Sequence, residues 1–215
     1  MQRALARAAH CIAPWSPPAD HLLRVVGVFV TFPRGPSGPG AVGDRAWTGA
    51  ALVAGGRLEG GRVVEGRAGA PYAAGLLALR EGELLERAII ALGETPDVVL
   101  VNATGRDHPR GAGLALHLGA VLGLPTIGVT DRPLMAHGPE PGLRAGATAE
   151  LLLGGQLVGM RVRTAAGARA VVVHAAWRTD PQTAVAMVLD LAHGVRTPIP
   201  LREARRLARA ARAAT

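Results

Sequence analysis

The stretch PDVVLVNATGRDHPRGAGLALHLGAVLGLPTIGV, residues 96–129, decides the fold. VVLV at 98–101 is a continuous apolar run with no polar alternation, the pattern of a strand buried on both faces of a parallel sheet. A helix-length segment, 111–122, separates it from a second short apolar run, TIGVT at 126–130. Strand, helix, strand at this spacing is a βαβ unit, whose right-handed crossover places the helix on one face of the sheet.

Upstream, LLRVVGVFVTF at 22–32 is rich in Val and Phe and short enough for a central strand. PRGPSGPG at 33–40 reads as a loop. Segments 47–54 and 57–66 flank Gly55-Gly56, a hairpin signal, so three consecutive antiparallel strands are expected. After Pro71, residues 72–92 carry Leu76, Leu77, Leu84, Leu85, Ile89 and Ile90 at helical spacing. Downstream of a Pro-, Gly- and Arg-rich loop at 131–147, LLLGGQLVGMRVRT predicts a second hairpin around Gly154-Gly155, and 170–174 a further strand. Asp180 followed by Pro181 opens a helix over 181–192. An Arg-rich helix over 200–213 closes the chain. Helices and strands in this order predict an α/β domain with an open mixed central sheet. Ligands in such sheets sit beyond the carboxyl ends of the strands, here after Phe29–Phe32, Val101 and Val129.

Composition sets the outer bounds. With 215 residues, 49% of them hydrophobic, one domain over 1–215 is expected, with 1–21 as an N-terminal extension. Aromatics are only 3%, so the core is built from Ala, Leu and Val. All 24 basic residues are Arg, and the net charge is +8. Residues 202–212 hold five Arg against one Glu. Arg202, Arg205, Arg206, Arg209 and Arg212 recur at three- and four-residue spacing, a face that is either solvated or in contact with phosphate. Cys11 is the single cysteine, which excludes an internal disulfide. No run approaches the roughly 18 apolar residues of a membrane span, and a cytoplasmic location is expected.

Several of these stretches together resemble the endonuclease V family, which cuts inosine-containing nucleic acid on a ribonuclease H-like fold. The resemblance rests on 71–85, 96–129 and 171–189, with His108-Pro109-Arg110, the Gly–Leu–Ala and His–Leu–Gly of the following helix and PTIGV in order and spacing, and it extends from about residue 22 to the end. It implies a ribonuclease H-like fold, DNA or RNA as partner, and a carboxylate cluster for Mg²⁺, a hard cation that takes oxygen ligands.

The family's first acid lies in a pattern like GVDVSF; here the stretch is GVFVTF, and Phe29 stands in that place. The helix pattern SFREGP resembles LALREGE, which keeps the acid as Glu81. VDGHG becomes VNATG, with Asn102 for the Asp. The family's GHR is matched by AAWR, which puts Trp177 at the His, as a plug of the vacated pocket or a stacking platform. The Lys of GVAK becomes Asp131, expected to pair with a neighbour such as Arg132. A wedge resembling PYIP reads Pro71-Tyr72-Ala73-Ala74, keeping the aromatic.

The resemblance therefore implies a degenerate nuclease that retains a nucleic-acid groove, with Tyr72, Pro71, Gly105, His108, Arg110 and Asp131 as contacts. Glu81 and Asn102 are the ligands left to it, and Mg²⁺ or Mn²⁺ is expected only if the altered site still takes a metal. Asp107 and His108 are candidate relocated ligands for an active enzyme with altered metal use. A protein-interaction or small-molecule-binding module on the same fold is the remaining alternative.

Overall fold

Strand β1, Arg24–Thr31, alternates its side chains between two apolar layers, which is what a central strand needs. Val26 and Val28 enter one layer, while Val25 enters the other. A computed structural model describes residues 1–33 and 40–215; of the loop expected at 33–40, residues 34–39 lie outside the described residues. β2, Arg45–Ala54, and β3, Arg57–Arg67, complete the antiparallel trio around Gly55-Gly56. β4, Val98–Val101, runs parallel to β1, and β5, Thr126–Thr130, runs parallel to β4. The hairpin β6, Thr148–Leu153, and β7, Gln156–Val162, is joined through β8, Val171–Ala175, antiparallel to β5. All eight strands form one mixed sheet, β3-β2-β1-β4-β5-β8-β7-β6, the α/β, ribonuclease H-like arrangement that the sequence predicts.

One face is covered by α2, Leu77–Ile90, and α3, Leu114–Leu122; the other by α4, Pro181–Ala192, and α5, Ile199–Ala213. Leu100, Leu116 and Ile127 are fully buried, each worth roughly 1.5–3 kcal/mol of apolar transfer. Asp180 caps α4 as expected, its carboxylate accepting the Thr183 N–H at 2.8 Å. No described helix is long and apolar enough to cross a membrane.

Two helix starts are corrected, and one element is new. The 1–21 extension contains a helix, α1, Gln2–Cys11, whose Ala9 is buried in the α2–α3 layer with Leu5 and Ala6 packed beside it. Its spacing of Leu5, Ala6 and Ala9 is a helical stripe hidden by the prolines that follow. The helix expected from 72 starts at Leu77, because Gly75 adopts a left-handed φ of +76°. Its carbonyl is taken by three side-chain donors. The helix expected from 111 starts at Leu114, after extended backbone at Gly113.

The placement of α5 depends on two bare strand positions. A Cβ on Gly27 would stand 2.2 Å from the Pro200 carbonyl oxygen, and one on Gly49 2.3 Å from that of Ala204. Glycine lets the helix backbone rest on β1 and β2, with Leu201, Ala204 and Ala208 buried beneath it. Arg205 and Arg209 are thereby carried to the end of β1.

Candidate nucleic-acid interface at the strand rim

Val28 of β1 lies opposite Val101 of β4 in the parallel register, so the next residues, Phe29 and Asn102, stand side by side at the sheet rim. Phe29 is half-buried, and the guanidinium carbons of Arg205 and Arg209 lie 5.0 and 5.9 Å from its ring centre. This is a cation–π stack on the residue that stands at the expected acid position. Asn102 is exposed and donates its amide N–H to the Val129 carbonyl at 2.9 Å. Among the described residues no group of three His, Cys, Asp or Glu could hold a metal ion.

Glu81 lies on the inward side of α2, one turn before the buried Leu84 and Leu85. Burial pushes its carboxyl up to about 7, against the opposing pull of the Arg80 charge. Arg80 itself is turned away. It is 5% exposed, donates to the carbonyls of Ala41 and Ala70 at 2.8 and 2.9 Å and to Asp44 at 2.8 Å, and stacks on Phe32. Glu81 makes no ion pair among the described residues.

A cavity of about 150 Å³ opens beyond β4 and β5, lined by Tyr72, Gly75, Asn102, Thr104, His108 and Thr130. Tyr72 is 49% exposed, on a loop secured by its backbone N–H to Gly40 at 2.7 Å. The Gly75 carbonyl accepts from His108 Nε2 at 3.0 Å, Arg110 at 2.8 Å and Gln2 of α1 at 3.1 Å. His108 Nδ1 accepts the Arg110 backbone N–H at 3.1 Å, so the ring is neutral with its proton on Nε2. Burial holds its pKa below the usual histidine value. His108 and Arg110 thus act here as clamps of the aromatic loop.

The remaining candidates separate. Asp107 is fully buried and accepts the N–H groups of Leu134, Met135 and Ala136 at 2.7, 2.8 and 2.8 Å. With His108 on Gly75, neither is free to serve as a relocated ligand. Gly105 is buried with its α-carbon against the Ala175 carbonyl, too close for a Cβ, so it packs the chain onto β8 and faces no groove.

Asp131 pairs with Arg196 at 2.7 Å, not with Arg132, and that hydrogen bond holds its carboxyl below the usual range. Trp177 exchanges backbone hydrogen bonds with Thr126, N–H to Oγ1 at 3.1 Å and carbonyl to N–H at 3.0 Å, and rests on Gly119 of α3. Thr126 begins β5, while Asn102 and Asp131 lie past the opposite ends of β4 and β5. Four strand residues at about 3.3 Å each put them roughly 13 Å apart. Trp177 therefore neither plugs nor lines the rim. Arg205 occupies that place, a residue that the Arg periodicity of α5 flagged only as part of a face.

The endonuclease V family model matches residues 48–206. A Nocardia farcinica endonuclease V is 45% identical over 146 residues, 67% of this chain and 64% of that protein. The chain thus matches less than two thirds of the length of that relative. The structure of an endonuclease V from Streptomyces avermitilis superposes with a TM-score of 0.87 at 33% identity, covering 99% of this chain and 90% of the other. A Ciona intestinalis endonuclease V, solved with DNA containing an inosine followed by a ribo-adenosine, shares the fold at 20% identity and a TM-score of 0.82, over 99% of this chain and 95% of that one.

Proposed function

The chain belongs to the endonuclease V family, and from that premise we propose that it binds nucleic acid in the family's groove without efficient phosphodiester cleavage. One observation carries this reading: where β4 ends beside β1 stand a phenyl ring and a neutral amide, with two guanidinium groups stacked on the ring. A hard divalent cation needs anionic oxygen there. The residues present offer one amide oxygen and positive charge, so they do not fit Mg²⁺ or Mn²⁺. Loss of two carboxylates and approach of two arginines turns an expected cation site into a cation-rich one.

What persists is suited to holding a strand. The aromatic loop is clamped at Gly75, and its exposed Tyr72 offers a ring on which bases stack. The cavity behind it, about 150 Å³, is smaller than the roughly 300–1,000 Å³ of drug-sized pockets and is of the scale of a single extruded base. The Ciona relative held on inosine-containing DNA supports the choice of ligand.

A second reading has one observation in its favour. Glu81, unpaired and with its carboxyl near 7, is poised for proton transfer at neutral pH, so a slow metal-assisted endonuclease remains the competing activity.

A nicking assay on an inosine-containing oligonucleotide, run beside a binding assay, separates the two. Wild type is expected to bind without nicking in Mg²⁺ or Mn²⁺, and Phe29→Asp/Asn102→Asp/Arg205→Ser to gain divalent-metal affinity by calorimetry. Wild-type nicking that disappears in Glu81→Ala would overturn the proposal. A chain that neither binds nor cuts would leave the interaction module.

A further inference from the structure

The arginines of α5 are not one solvated face. Arg206 pairs with Glu203 at 2.8 Å, and Arg212 donates to Thr31 Oγ1 and the Phe32 carbonyl at 2.9 and 3.2 Å. Arg205 and Arg209 instead lean together over Phe29. Two like charges at this range repel. Burial first, and then the Arg209 charge, push the Arg205 guanidinium below its usual basicity. Its Nε is buried and without a hydrogen-bond partner among the described residues. A desolvated guanidinium N–H without an acceptor is costly, and half-buried Arg205 and exposed Arg209 leave the outer N–H groups of their forks open to an oxyanion.

Among the described residues the acid that acts on Arg205, Asp131, cannot neutralise this cluster. It is already held by Arg196, and Arg169 and Arg205 also act on it, so three arginines share one carboxylate. Beyond Asp131 the positive line continues. A groove of about 430 Å³ is lined by Asp131, Arg132, Arg161, Arg169 and Glu140, with Arg161 drawn to Glu140 at 2.5 Å. A single anion would need one such pocket; a row of arginines along a groove fits an anion that repeats.

We propose that Arg205 and Arg209, backed by Phe29, form a metal-free clamp for a nucleic-acid phosphodiester, with the Asp131–Arg169 groove taking the next phosphates of the same strand. The forked guanidinium meets phosphate oxygens through two parallel N–H bonds, and the ring restrains the forks before the ligand arrives. The clamp stands where the family's metal would face the same phosphate, and it rests on the nucleic-acid-binding reading above. It replaces the bridge between protein and phosphate while offering nothing that activates water.

The test is fluorescence anisotropy of a labelled inosine-containing single strand in EDTA, across a salt series. Wild type is expected to bind, and millimolar Mg²⁺ to leave the affinity unchanged or weaken it. Arg205→Gln/Arg209→Gln should lose about tenfold or more in affinity and lower the salt slope by about 0.7, the value for the one phosphate that the pair holds. Arg205→Lys/Arg209→Lys should keep the slope but still lose affinity, because charge remains and the fork is gone. Arg206→Gln, at the outer Glu203 pair, should match wild type.

Binding that ignores both Arg205 and Arg209 would overturn the clamp and leave the nucleic-acid reading standing. No binding by any form would remove both. Equal, arginine-dependent competition by poly-glutamate would assign the cluster to an acidic protein instead. Complete competition by inorganic phosphate at low millimolar concentration would assign it to free phosphate.

Discussion

Two stretches of one rim differ in how their polar groups are paired. In the 71–76 loop, the Gly75 carbonyl collects three donors, and the neighbouring Asp107 carboxylate accepts three backbone N–H groups. Where β4 ends beside β1, Arg205 Nε has no partner among the described residues, and exposed Asn102 spends only its amide N–H on the chain, at the Val129 carbonyl. Where a shape must be held, every polar group is matched inside the chain. Where a ligand must be met, groups are left for it. The difference explains how the loop can keep its geometry while the strand ends change their charge: the loop is fixed by Gln2, Asp107, His108 and Arg110 on backbone groups, and none of these bonds involves 29, 102 or 205.

The sharpest way to break this contrast is at the most fully paired residue. Asp107→Ala should leave three buried N–H groups without acceptors and cost about 3 kcal/mol or more, read as a lower urea midpoint. A loss below about 1 kcal/mol would mean that the loops after β4 and β5 do not depend on this carboxylate.

A smaller effect is expected at Glu81, on the poorly paired side. Its folded pKa, about 7, lies above the ordinary 4.5, so its contribution to stability is fully present below 4.5 and is lost as pH rises through 7. Wild type should therefore lose stability between about pH 4.5 and 7. Glu81→Gln should flatten that part of the curve and be more stable at pH 8 by on the order of 1–2 kcal/mol. The buried His174, pushed down to about 4, acts oppositely over pH 4–6.5, so the clean readout is the difference between the two proteins. A parallel pair of stability curves would show that Glu81 has found a partner in solution.

The smallest effect belongs to the loop clamp. His108→Phe keeps the ring volume and removes the donor to Gly75, leaving Arg110 and Gln2 in place. About 1 kcal/mol should be lost, with faster amide exchange confined to 71–76. Faster exchange throughout the sheet would make His108 part of the core instead.

The elements most easily read from sequence are those set by local chemistry. The apolar run Val98–Val101, the Gly-Gly hairpins and the Asp180 cap each carry their signal within a few residues. Helix starts at 77 and 114 were less legible, because the apolar periodicity runs on through Gly75 and Gly113, where the backbone departs from it. α1 was missed beside its prolines. At the rim, Phe29 and Asn102 were visible as departures from a pattern, and the strand register does make them neighbours. Trp177 was matched to a role by short-range pattern, yet it stands at the other end of β5. Arg205 could not be assigned from spacing alone, since five arginines share its periodicity and only the seating of α5 distinguishes them.

That seating rests on Gly27 and Gly49, where the helix backbone touches the sheet directly. Arg205 and Arg209, outside that buried stripe, can therefore be exchanged without disturbing how the helix lies, as a tool head is changed on a fixed handle. The rim's charge is then adjustable by single codon changes at 205 and 209. A methyl group at 27 or 49 would instead lift the whole handle away from the work.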